Sequence, residues 1–92
     1  MPKQQQYFFE VTDTFAGETN YAWVHRYLVR AKSLLGALRK VAREAGYSGR
    51  LKKTLDCGDF ARWDVRGAAI CILGNWTEGR EAQAYQHVKT LP

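Results

Sequence analysis

Two histidines (His25 and His87), two cysteines (Cys57 and Cys71) and three of the four aspartates (Asp56, Asp59 and Asp64) are the first candidates for acid–base, nucleophilic or metal chemistry in this chain of 92 residues. A structural zinc site draws its ligands in close pairs, about two to five residues apart. The cysteines and histidines here are scattered, so no metal is expected. Neither histidine stands beside a serine or cysteine in a nucleophile motif. His25 falls on an aromatic strand face, where a packed, hydrogen-bonded imidazole is the ordinary outcome. Asp56 and Asp59 fall in a turn, where aspartate serves the backbone. The eight glycines form no phosphate-cradling pattern. No enzyme and no cofactor is expected.

Charge carries a stronger signal. Between Arg26 and Lys53 stand nine basic residues and a single acid, Glu44, whereas the remainder of the chain is net acidic. Arg39, Lys40 and Arg43 lead through a turn containing Tyr47 to Arg50, Lys52 and Lys53. Six cations around one aromatic form the candidate binding site, able to neutralise phosphates and stack on a base. Five such contacts would make log K fall with log salt at a slope of roughly −4 to −5. The plainer alternative is a solvated face that uses Lys and Arg for solubility.

The elements that must position these residues follow from periodicity. Tyr7 to Thr12 alternates as a strand, and Asp13 to Asn20 reads as an eight-residue loop of Asp, Thr, Gly and Asn. Phe15 in that loop is expected to tuck back onto the core. Tyr21 to Arg30 is the clearest strand. It sets Tyr21, Trp23, His25, Tyr27 and Val29 against Ala22, Val24, Arg26, Leu28 and Arg30, and either face could meet a helix. Trp23 is expected in the core.

A helix follows, capped by Ser33 and ended by Gly46, with Leu34, Leu38, Val41 and Ala45 as its apolar stripe, widened by Leu35 and Ala42. Lys40 and Glu44 make an i,i+4 pair on its outer side. Arg50 to Leu55 is half-buried and half-basic, Phe60 to Arg66 alternates Ala61, Trp63 and Val65 inward, and Ala68 to Leu73 is apolar on both faces. Gly74 and Asn75 interrupt that last strand. The tail from Glu78 to Val88 fits either a short helix or an irregular arm.

The order β-β-α-β-β-β predicts an α+β fold in one domain, residues 1–92: two layers, a mostly antiparallel sheet of about five strands and one helix on one face. With 46% hydrophobic and 13% aromatic residues the chain can offset its ordering entropy, so disorder is excluded. The longest apolar run, Ala68 to Leu73, is far short of the ~20 residues that span a bilayer. Residues Met1 to Gln6 show no apolar signal region, so no membrane is expected and the cytoplasm is the expected location. In that compartment Cys57 and Cys71 stay reduced, with Cys71 a small core residue.

From Ser33 onward the element order matches the double-stranded RNA-binding domain in outline, without the basic start to a final helix that such domains set on phosphates. A broader resemblance lies in FEVTDTFAGETNYAWVHRY, RAKSLLGALRKVAREAG and ARWDVRGA. In size, layout and character the chain resembles small orphan proteins of bacteriophages and mobile elements, among them the anti-CRISPR inhibitors. The resemblance spans residues 8 to 70. It implies a non-enzymatic inhibitor in the cytoplasm of a bacterial host. Such an inhibitor binds a CRISPR surveillance complex by protein–protein contact. Many of these inhibitors are acidic DNA mimics, whereas this chain has a pI near 9.5. Its basic residues would face the path of guide RNA or target DNA, or an acidic protein patch, with Phe15, Trp23, Tyr27 and Tyr47 as aromatic anchors. The rival expectation is a free-standing nucleic-acid-binding module, a small phage regulator contacting DNA or RNA backbones with the same residues.

Overall fold

A computed structural model describes residues 5–47, 51–57, 60–77 and 87–92. Among the described residues six strands and one helix follow in the order β1 (Gln5–Phe15), β2 (Glu18–Ala31), α1 (Leu34–Ala45), β3 (Leu51–Asp56), β4 (Phe60–Val65), β5 (Ile70–Thr77) and β6 (Val88–Leu91). The strands form one mixed sheet in the order β3-β4-β5-β1-β2-β6. Every pairing is antiparallel except β2 with β6, which is parallel. The fold is α+β, with one strand more than the pattern predicts. The extra strand is β6, four residues that carry no alternation long enough to read. Of the tail expected as a helix or irregular arm over 78–88, residues 78–86 lie outside the described residues, and Val88 opens β6.

Helix α1 forms where its caps dictate. The Ser33 side chain accepts the Gly36 amide at 3.0 Å, and Gly46 takes the left-handed conformation at φ 88° while its amide returns to Ala42 and Arg43. The helix packs over β2, β1 and β5. Ala37, Leu38 and Val41 meet Phe9, Tyr27, Val29, Trp63 and Ile72 in the core. Ala42 joins the buried stripe, but Leu35 stays 49% exposed. The contest between the two faces of β2 is decided for Tyr27 and Val29, which are buried beneath the helix.

The first hairpin departs most from expectation. β1 runs on through Phe15 and turns within two residues, Ala16 and Gly17, both at positive φ (54° and 83°), so Phe15 pairs directly with Glu18. Both central residues of such a turn need positive φ. Ala-Gly lacks the Asn or Asp that would signal it in sequence.

Further along, pairing jumps from Thr12↔Val24 to Thr14↔Thr19, leaving Asp13 opposite a bulge at residues 20–23. Tyr21 sits in that bulge at φ 55°. The Asp13 carboxylate accepts the Ala22 amide at 2.9 Å and the Asn20 amide group at 2.8 Å, replacing the missing ladder bonds.

The bulge bends the hairpin tip over the face of the sheet away from α1. There Thr19 meets Cys71, and Arg62 donates to the Gly17 carbonyl at 2.9 Å. Thr12 and Cys71 are fully buried on that face. Phe15, expected in the core, is instead 75% exposed on the tip. Strand β5 also corrects the reading. It starts two residues later, at Ile70, and runs straight through Gly74 and Asn75.

Candidate functional site

The predicted cations do not form one patch. Arg39 and Arg43 stand one turn apart on the exposed side of α1. Neither has an ion-pair partner among the described residues. Lys40, between them in sequence, is tied to the neighbouring backbone: its ammonium donates to the Arg30 carbonyl at 2.7 Å and the Pro92 carbonyl at 2.9 Å. The expected Lys40–Glu44 pair is therefore not made, and Glu44 instead holds Lys89.

Lys52 and Lys53 lie on β3 at the far edge of the sheet, separated from α1 by β4. Lys53 pairs with Asp56 at 3.1 Å. Apart from half-buried Leu51, β3 is exposed throughout, not half-buried. Its lysines and the register shift after Lys53 are the devices that blunt an edge against pairing. Arg50 lies outside the described residues.

Tyr47 leads to the surface that charge patterning did not reveal. Its amide closes the helix on the Ala42 carbonyl at 2.8 Å. Its side chain is half-buried against the core cluster. Together with Ala45 it forms one wall of a groove of about 340 Å³, whose remaining lining is Val11, Trp23, His25 and Tyr27. Trp23, expected in the core, is 38% exposed here. Its ring meets that of His25 at 5.4 Å between centroids, tilted by 55°.

A second hollow of about 430 Å³ shares His25 and Tyr27 with the first, and continues to His87, Val88 and Lys89. Two histidines separated widely in sequence thus line one hollow. Length is the signal that could have found this site. A helix of 12 residues is ~18 Å long, while the ten residues that read as a strand, Tyr21 to Arg30, reach ~33 Å. Part of an aromatic stripe that long must stay uncovered.

On the opposite face Glu10 accepts from Tyr21 at 3.0 Å and from Arg26 at 2.9 Å. Burial, reinforced by the Glu10 carboxylate, pushes the Tyr21 hydroxyl up to about 12. Burial also raises Tyr27, with the charge of nearby Glu44 acting in the same direction.

Asp56 and Asp64 sit at opposite ends of the β3–β4 hairpin, paired with Lys53 and Arg62; Asp59 lies outside the described residues. Cys57 is exposed and Cys71 buried, both as free thiols. Among the described residues no three His, Cys, Asp or Glu side chains gather as a metal site. No helix among them is long and apolar enough to cross a membrane.

No protein-family model, curated protein or solved structure matches the chain.

Proposed function

We propose that this protein is a non-enzymatic inhibitor of the anti-CRISPR kind. It acts in the cytoplasm of a bacterial host and docks by protein–protein contact on a nucleic-acid-handling surface of a CRISPR surveillance complex. The observation that carries contact over catalysis is Phe15. A ring 75% exposed, on a hairpin tip tethered through Asp13, Thr19 and Gly17, is an apolar anchor held ready on a fixed arm. Arg39 and Arg43 supply the attraction toward a surface that carries nucleic acid. The two-layer body, helix on sheet, serves as the scaffold for both, and the role requires no metal or cofactor.

The test is capture of purified surveillance complex by the tagged protein. Phe15→Ser and the pair Arg39→Glu with Arg43→Glu should each reduce capture at least tenfold while the far-ultraviolet circular dichroism is unchanged. Full capture by both variants refutes the proposal.

A second reading, a nucleic-acid-binding module, is favoured by the groove walled by Trp23 and Tyr47 at the end of the helix that carries the same arginines. Binding of labelled DNA and RNA at about 50 and 200 mM salt separates the two readings. A contact-only inhibitor binds neither nucleic acid, and the module binds with steep salt dependence.

A further inference from the structure

We propose that the groove between β2 and the C-terminal end of α1 captures an unpaired base of a single-stranded nucleic acid, stacking it between Trp23 and Tyr47. The inference rests on the nucleic-acid reading above and names the part of the ligand that is held.

Four rings converge on the groove, and each has a different part. Tyr27 is buried and forms the floor. Tyr47 stands on the helix side and Trp23 on the strand side. His25 braces the Trp23 ring through their tilted contact. Val11 and Ala45 complete an apolar lining with room for a flat heterocycle. Stacking of this kind accepts any base, because every base has a π-face.

Charge selects the nucleotide over an apolar side chain of a protein. No acidic residue lines either hollow among the described residues. Glu44, the one acid on α1, is occupied by Lys89, which itself lines the adjoining hollow. Arg43 shares the last turn of α1 with Ala45 but points to the opposite, exposed side, about one helix diameter (~10 Å) across from the groove wall. Arg39 stands one turn back.

At the helix C-terminus the amides of Gly46 and Tyr47 take the Ala42 and Arg43 carbonyls, which reduces the negative end that a phosphate would meet there. In this proposal the phosphates run along the exposed arginine side of the helix, and one base turns over its C-terminal end into the groove. The two hollows share His25 and Tyr27 in their linings, so a neighbouring nucleotide would lie on the side toward His87.

The test uses the full chain and two strands of equal length: oligothymidylate, and a strand whose central residues are abasic. The parent protein should bind the thymidylate about tenfold more tightly, the order of one base stacked on an aromatic ring. Trp23→Ala should erase that difference, and Trp23→Phe should restore most of it. Arg39→Glu with Arg43→Glu should weaken both strands alike and flatten the log K against log salt slope by roughly 1.4, two phosphate contacts on a single strand.

Equal affinity of the parent for the two strands, or full discrimination by Trp23→Ala, overturns base capture and leaves the phosphate-binding reading standing. No binding of either strand at about 50 mM salt overturns both. Thermal unfolding of Trp23→Ala near that of the parent shows that any loss is local. The Thr12 hydroxyl bonds the Trp23 carbonyl, which the substitution retains.

Discussion

The ring of Phe9 lies across Gly74. The two are register partners on β1 and β5, and the absent Cβ of Gly74 is the space the ring occupies. Crossing β5 at that point, Phe9 reaches Trp63 on β4 and stacks on it at 6.2 Å between centroids with 23° between planes. Three strands are thereby joined by two rings and a glycine. The glycine that breaks the strand pattern in the sequence is what lets the strand continue, since a central sheet glycine marks close approach by a neighbour.

Gly74→Ala should destabilise the protein by about 1–3 kcal/mol, the cost of overpacking a filled core. A Cβ at this position would come closer than 3.0 Å to three atoms of the Phe9 ring, which is fully buried and has no free direction to move. Adding Phe9→Leu should recover part of the loss, because the two changes share one contact. Urea unfolding of the two single variants and the double variant measures this. Strict additivity would place the strain elsewhere.

Lys40 and its neighbours should separate stability from binding. Lys40 ties α1 to the end of β2 and to Pro92. Hydrogen bonds from a charged donor contribute about 1.5–3 kcal/mol each at most, and these are partly solvated. Lys40→Met should therefore cost about 1–2 kcal/mol and expose β6 to proteolysis, with nucleic-acid or complex binding unchanged. Arg39→Glu with Arg43→Glu should do the reverse, within about 0.5 kcal/mol of the parent in stability. The comparison needs only limited proteolysis and one binding assay. Loss of binding in Lys40→Met with normal stability would return Lys40 to the contact surface.

How much of this was legible follows from what each residue's neighbours decide. Helix α1 could be read because its information is local: the Ser33 cap, the Gly46 stop and the Leu38–Val41 stripe lie within one segment. The inward alternation of Ala61, Trp63 and Val65 was equally local. Phe15 and Trp23 were misplaced because their surroundings are set at a distance. Phe15 is displayed by a turn whose Ala-Gly sequence does not announce positive φ, and Trp23 is left bare because α1 ends before β2 does. The cations gave a correct charge asymmetry and a wrong geometry. Adjacency of Arg43 to Lys52 along the chain says nothing about a sheet order that sets β3 at the far edge.

Acid should release the hairpin tip. Hydrogen bonds from Asn20, with the Ala22 amide assisting, hold the Asp13 carboxyl below its ordinary value. A carboxyl depressed in the folded state contributes its stabilisation above the unfolded value of about 4, and loses it as the pH falls through the lower folded value. The Ala22 amide resonance should therefore titrate with a midpoint below about 4. In Asp13→Asn that titration should vanish, and the tip should lose its acid sensitivity. A flat Ala22 resonance across the acid range in the parent protein would mean that the tether is not formed in solution.

The lysines of β3 are predicted to guard an edge. β3 ends the sheet, its residues from Lys52 onward are exposed, and Leu55 shows 45% of its surface to solvent. Such a strand offers free amides and carbonyls to a second copy of itself, and lysine side chains together with a bulge are the usual deterrents. Replacing Lys52→Thr and Lys53→Val removes the charges, raises strand propensity and breaks the Lys53–Asp56 ion pair. Sedimentation velocity should then show a mass that rises with concentration above that of the parent, while Lys52→Glu with Lys53→Glu should not. Strand binding by both variants should match the parent, because β3 lies away from the groove of Trp23 and Tyr47. If the threonine–valine variant keeps the parent's mass and loses binding instead, the two lysines belong to the contact surface and the edge is protected by its register shift alone.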